Sequence, residues 1–179
     1  MDAQEWLILN FTLPKEQSTV RVSVWRKLKR CGSVSIGQSM WVLPLTDEHI
    51  RTFSEISKEI TENAGSAFIA TAEFLKIGST VDVVGVFNKI RDDEYVEFLD
   101  KCEDYFHEIN RETERRNFTF AELEENEEEY SKLVEWLRKI SGRDFFNANL
   151  KNKAKTELEK CKLLLNNFGN KVNEYNEEK

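Results

Sequence analysis

"VRVSVWRKLKRCG", residues 20–32, reads in two ways. Val20, Val22 and Val24 alternate like a half-buried strand, whereas Val20, Val24, Leu28 and Cys31 recur at helical spacing. The flanks favour the helix. Ser18 and Gly32 are start and stop signals, and the segment must carry the chain between two strands. The strand before it is "EWLILNF", residues 5–11, in which Trp6 and Ile8 alternate with Leu7, Leu9 and Phe11 before Pro14 closes the run. Apolar residues on both faces mark a strand covered on both sides.

After Gly32, "SVSIGQSMWVLPL" has two short extended stretches about a Gly-Gln-Ser turn and predicts a hairpin with strands near 33–37 and 40–44. "TDEHIRTFSEISKEITENAG" predicts a second amphipathic helix, capped by Thr46 or Asp47, with Ile50, Phe53, Ile56 and Ile60 as its stripe and Gly65 at its end. "AFIATAEFL", residues 67–75, alternates as a fourth strand. Strand, helix, strand, strand, helix, strand is the split β-α-β order of ferredoxin-like domains, so the fold class is α+β. Both helices then cover one face of the sheet. The first strand requires a cover for the other face as well, from the rest of the chain or from a second subunit.

The expected division is a ferredoxin-like βαββαβ domain at 1–78 and a helical extension at 79–179. In the extension, Val84, Phe87 and Ile90, then Phe98, Cys102, Tyr105 and Ile109, mark one helix. Leu133, Trp136, Leu137 and Ile140 mark another, and Leu158, Cys161, Leu165, Phe168 and Val172 a last one. Glu122 to Glu129 holds six acids in eight residues, the composition of a solvated helix face.

The net charge of −7 argues against a general nucleic-acid binder. Residues 1–79 hold nine acids and nine bases and residues 80–179 hold 24 acids and 17 bases, so the acidic excess is confined to the second part. A local basic surface is therefore compatible with an acidic protein. Cys31, Cys102 and Cys161 are too few and too scattered for a disulfide framework or a zinc site, which implies a reducing, cytoplasmic setting. The N-terminal stretch places acids before a short apolar run, the reverse of an export signal, and no run reaches membrane-spanning length.

For catalysis the sequence is poor. His49 and His107 stand in no ligand spacing, the cysteines fall on apolar stripes, and there is no phosphate-binding glycine loop or nucleophile elbow. No enzyme, cofactor or metal is expected. One basic constellation rises above background: Arg26, Lys29 and Arg30 project from one side of the 20–32 helix, Lys27 flanks them, and Arg21 falls beside Trp25. Such a face can hold phosphates or a small oxyanion. It can equally be a solvated helix end whose cations answer its own dipole. Trp25, Trp41 and Phe11 lie in apolar runs and are expected in the core rather than as base readers.

The stretches "EWLILNFTLPKEQSTVRVSVWRKLKRCGSV", "MWVLPLT", "FNKIRDDEYVEFL" and "RDFFNANL" together resemble the N-terminal domain of the chromate-resistance regulator family ChrB. The resemblance implies a chromate-responsive regulatory or accessory protein with promoter DNA as its partner. It makes Arg21, Arg26, Lys27, Lys29 and Arg30 the candidate DNA-contacting residues and chromate a possible effector. Full family members continue into a C-terminal domain, whereas this sequence stops after "NEYNEEK", so the resemblance leaves room for a separate sensor protein or a homodimer. A protein–protein or oligomerisation module is the alternative. The fold is also similar to small CRISPR-associated nucleases and to a domain of phenylacetate-type repressors. Where those nucleases carry an Asp at the end of the first strand, this chain has Asn10, which cannot supply that charge to Mg²⁺.

Overall fold

A computed structural model describes residues 5–74 and 82–177. The expected domain boundary at 78, and the end of the predicted fourth strand at Leu75, lie outside the described residues. The chain forms two compact units, Met1–Phe87 and Asn88–Lys179.

The first unit contains β1 (Glu5–Thr12), α1 (Ser18–Arg30), β2 (Val34–Gly37), β3 (Met40–Pro44), α2 (Asp47–Glu62) and β4 (Ser66–Glu73). The strands form one antiparallel sheet in the order β2-β3-β1-β4, the ferredoxin-like arrangement expected from the element order. The ambiguous valine run is helical. Val24 is fully buried and Val22 is 46 % exposed, a split that strand alternation would not produce. Gly32 stops the helix as expected: at φ 81° it lets its own N–H bond to Lys29 O and the Ser33 N–H bond to Leu28 O, a Schellman ending. Ser18, however, is already helical, and the cap position is Gln17, which makes no side-chain capping bond.

α2 is capped by Thr46, whose Oγ1 accepts from the His49 N–H. Its inward stripe is Phe53, Ile56 and Ile60; Ile50, expected to join it, is exposed beside the cap. At its end Ala64, rather than a glycine, adopts the left-handed conformation at φ 59°. Gly65 is needed for proximity instead, since a Cβ there would lie 2.6 Å from Thr12 O and 2.9 Å from Ile60 O.

The pairing of β1 with β3 places Leu7, Leu9, Trp41 and Leu43 on one sheet face and Trp6, Ile8 and Val42 on the other. Lys29 of α1 lies over Trp41, so α1 covers the first of these faces. α2 lies beside α1 through Glu59. Trp6, Ile8, Val34 and Val42 on the opposite face are buried too. α3 (Val83–Glu114) supplies part of that cover, because Phe87 in its second turn stacks on Trp6 with ring centres 5.7 Å apart.

The second unit joins the rest of α3 to α4 (Phe120–Ser141) and α5 (Lys151–Glu177). Tyr95, Phe98, Cys102, Tyr105 and Ile109 recur every three or four residues on α3. They meet Leu133, Leu137 and Ile140 of α4 and Ala154, Cys161, Leu165, Phe168 and Val172 of α5 in one core. Polar residues continue the same phase beyond each end of the apolar seam: Arg91 and Asp144 at one end, Glu112 and Asn126 at the other, all buried. Asn126 therefore departs from the solvated face expected of the Glu122–Glu129 run. It turns inward while its acidic neighbours stay out.

Candidate nucleic-acid interface

α1 carries all five predicted cations, and its geometry separates them. Its buried line is Val24 and Leu28. Arg21 and Lys27 leave the helix close to that line and reach neighbouring backbone and side chains. Arg21 Nη2 donates to Leu13 O at 3.2 Å and to Pro14 O at 2.9 Å, closing the turn between β1 and α1. Lys27 Nζ donates to Glu59 Oε2 of α2 at 2.8 Å, and Ser23 Oγ donates to Glu59 Oε1 at 2.7 Å. Partial burial acts to raise the Glu59 carboxyl. The bonds from Lys27 and Ser23 and the charge of Lys27 outweigh it, leaving Glu59 below the ordinary carboxylate value.

Lys29 is held differently. Its Nζ lies 5.9 Å from the Trp25 ring centre and 5.8 Å from that of Trp41, within cation–π range of both. Trp41 is buried, as expected, but Trp25 is 52 % exposed and is corrected from core to surface. Its position falls on the flank of the Val24–Leu28 line, where Lys29 lies over the ring.

Arg26 and Arg30 have neither an ion-pair nor a hydrogen-bond partner among the described residues. They stand one helical turn apart, where like charges repel, in and just before the last turn, where the helix dipole favours cations. With Ser18, Thr19, Val22 and Lys27 they line a shallow groove along the outer side of α1. The face thus offers two guanidiniums without partners among the described residues, the exposed aliphatic side chain of Val22 and an exposed indole paired with an ammonium. Guanidiniums of this kind can form bidentate contacts to phosphate or to base edges.

Elsewhere the predicted absences and presences sort as follows. Asn10 at the end of β1 pairs with Met40 and Phe68, neither of which brings a carboxylate to it. The ring of His49 hydrogen-bonds to Pro44 O through Nδ1, and exposed His107 lies 3.8 Å from Glu103.

One cluster was missed by the sequence reading. Carboxylate oxygens of Glu108 and Glu112 on α3 and Glu122 on α4 lie within 4.8 Å of one another. Protein donors already serve them: Asn117 Nδ2 bridges Glu112 at 2.8 Å and Glu122 at 3.0 Å, and Arg111 and Arg115 pair with Glu112. Glu112 is held below the ordinary value, first by the Asn117 bond and then by Arg111 and Arg115, against the effect of burial. Glu122 is pushed up by burial and by the charges of Glu112 and Glu125. The signal for Glu112 was its place three residues after Ile109 on the apolar phase of α3.

The two stretches quoted from the second unit prove to be structural. Asp144 Oδ2 accepts from the Tyr95 OH at 3.1 Å and pairs with Lys151, and Asp144 Oδ1 accepts from the Ala148 N–H. Burial pushes the Tyr95 hydroxyl up to about 12. Arg91 and Arg143 converge on Glu94 Oε2, each at 3.0 Å. Asp92 Oδ1 accepts the Leu150 N–H at 2.8 Å just before α5, capping that helix from α3. "FNKIRDDEYVEFL" and "RDFFNANL" are thus two halves of one lock.

The family model described as "Protein ChrB, N-terminal" matches residues 21–179, which takes in most of α1 and both halves of the lock. No curated protein and no solved structure matches the chain. Among the described residues, no helix is long and apolar enough to cross a membrane.

Proposed function

The chain belongs to the ChrB N-terminal family, which relates it to chromate resistance, and on that premise we propose that it is a regulatory or accessory protein that contacts promoter DNA through the outer face of α1. The observation that carries this reading is the pair Arg26 and Arg30, two guanidiniums one turn apart without protein partners among the described residues. Phosphate neutralisation by such groups releases counterions and supports binding even on a protein of net negative charge. Arg21, Lys27 and Lys29 act in this reading as residues that hold α1 and shape its surface. Chromate, an oxyanion with two charges, is the proposed effector on family grounds.

The test is binding of the purified chain to the duplex upstream of its own operon at low and moderate salt, with and without chromate. Specific binding that weakens with salt and is relieved by chromate is the expected result. No binding by folded protein would refute DNA contact. It would favour the interaction-module reading, for which the groove between α3 and α4 edged by Asp104, Glu108, Glu125 and Glu129 is the suited surface.

A further inference from the structure

The two edges of the sheet are built differently. β2 is four residues long, and its register with β3 shifts between Ser35 and Gly37; a short, irregular strand of this kind keeps an edge from pairing further. β4, at the other edge, keeps an unbroken antiparallel register with β1 over all eight of its residues. Alternate residues of such a strand turn both backbone groups outward. Among the described residues, none of those groups is taken by a further strand or loop. Residues 63–72 include no ionisable side chain and no proline, and Phe68 is 58 % exposed on the same sheet face as exposed Ala70.

We propose that β4 pairs antiparallel with β4 of a second copy of this chain, joining two four-stranded sheets across a two-fold axis. Charge and closure single out a second copy as the occupant. A pairing centred on Ile69, the middle of the uncharged part of the strand, sets Phe68 against Ala70 of the second copy. It puts the two Glu73 carboxylates at opposite ends, about 27 Å apart at about 3.4 Å per residue. That is several Debye lengths at physiological salt, so two chains of net charge −7 bring no like charges face to face along these strands. Both copies use the same surface, and each outward backbone group finds its counterpart. The joined sheet then ends on each side in a β2 edge, too short and irregular to add a third copy, so association closes at two. Ala67, Ala70 and Ala72 offer neither a pocket nor a countercharge by which to select a foreign strand. The interface uses no residue of α1 and does not depend on the DNA reading.

The test follows the folded full chain by light scattering on a size-exclusion column from micromolar to millimolar concentration and reads backbone hydrogen exchange of β4 at both extremes. A mass of twice 21.0 kDa is expected at high concentration, insensitive to salt, with the β4 amides exchanging more slowly there than in the dilute chain. Ala70→Lys, at an exposed position, should shift the dimer to monomer, and so should Ala70→Glu. An equal mixture of the two variants should regain the dimer, because each lysine then meets a glutamate diagonally across the two-fold. A mass of 21.0 kDa at every concentration would overturn the proposal, as would a dimer whose β4 exchange does not change with concentration or one that survives both substitutions. Should either variant not fold by circular dichroism, the wild-type mass and exchange decide.

Discussion

Replacement of Arg26 and Arg30 together by glutamine isolates the only α1 cations without a protein partner among the described residues. If these two neutralise phosphates, the slope of log K against log salt should flatten by about 1.8, because each contact contributes about 0.9 on duplex DNA. The wild-type advantage from them alone then shrinks about tenfold as salt rises from roughly 50 to 200 mM. Were all five predicted cations on the backbone, the corresponding slope would be about 4.5. The structure separates these cases, because Lys27 already faces Glu59 at 2.8 Å and Arg21 spends its donors on Leu13 and Pro14. Lys27→Gln should therefore change the slope little while lowering stability slightly. The assay is fluorescence anisotropy titration across a salt series, with circular dichroism to confirm folding. Refutation is a slope unchanged in the Arg26→Gln, Arg30→Gln double variant, or a Lys27→Gln effect as large as either arginine's.

Further perturbations probe the scaffold. Gly65→Ala should destabilise by about 1–3 kcal/mol, since the new methyl meets the Thr12 and Ile60 carbonyls, which cannot rotate away; Ala64→Gly next to it should have the opposite sign by up to about 1 kcal/mol, both read from thermal melts. Asp144→Ala leaves the Tyr95 hydroxyl and the Ala148 amide without their acceptor and should lower stability by about 3–5 kcal/mol in denaturant titration. Glu122 and Glu59 should act oppositely with pH. A raised folded-state value makes the contribution of Glu122 present at low pH and lost as pH rises through it, whereas the depressed Glu59 contributes above its ordinary range and loses that contribution as pH falls. Glu122→Gln should therefore stabilise the chain at neutral pH and flatten the decline above the carboxylate range, while Glu59→Gln should remove part of the acid-side loss; urea midpoints at several pH values check both.

What the sequence determined by itself was local and periodic. The apolar run of β1, the Gly-Gln-Ser turn, the stripes of α3, α4 and α5, and Gly32 with its Schellman ending are all written within a few residues of where they act. The period of 3.6 or 2 and the turn preferences of glycine and proline are consequences of backbone sterics alone. From those pieces the βαββαβ order followed. The quoted motifs carried the family likeness, including two whose structural role sequence could not reveal.

Tertiary structure decided which partners the charged and polar side chains find. Five cations on one helix look alike in sequence. Only the placement of Glu59 on α2, of the Leu13 and Pro14 carbonyls and of Trp41 on β3 engages three of them and leaves Arg26 and Arg30 without partners among the described residues. Trp25 is half exposed for a related reason, since it stands on the flank of the Val24–Leu28 line and an apolar run does not say which of its members a neighbouring sheet will cover. Asp144 with Tyr95, and Asn117 with Glu112 and Glu122, are likewise pairings that join a loop residue to a helix. Burial makes an unpaired polar group costly, so these pairings are strongly selected by the fold. Their chemistry depends on distances of about 3 Å between residues that one-dimensional periodicity leaves unrelated.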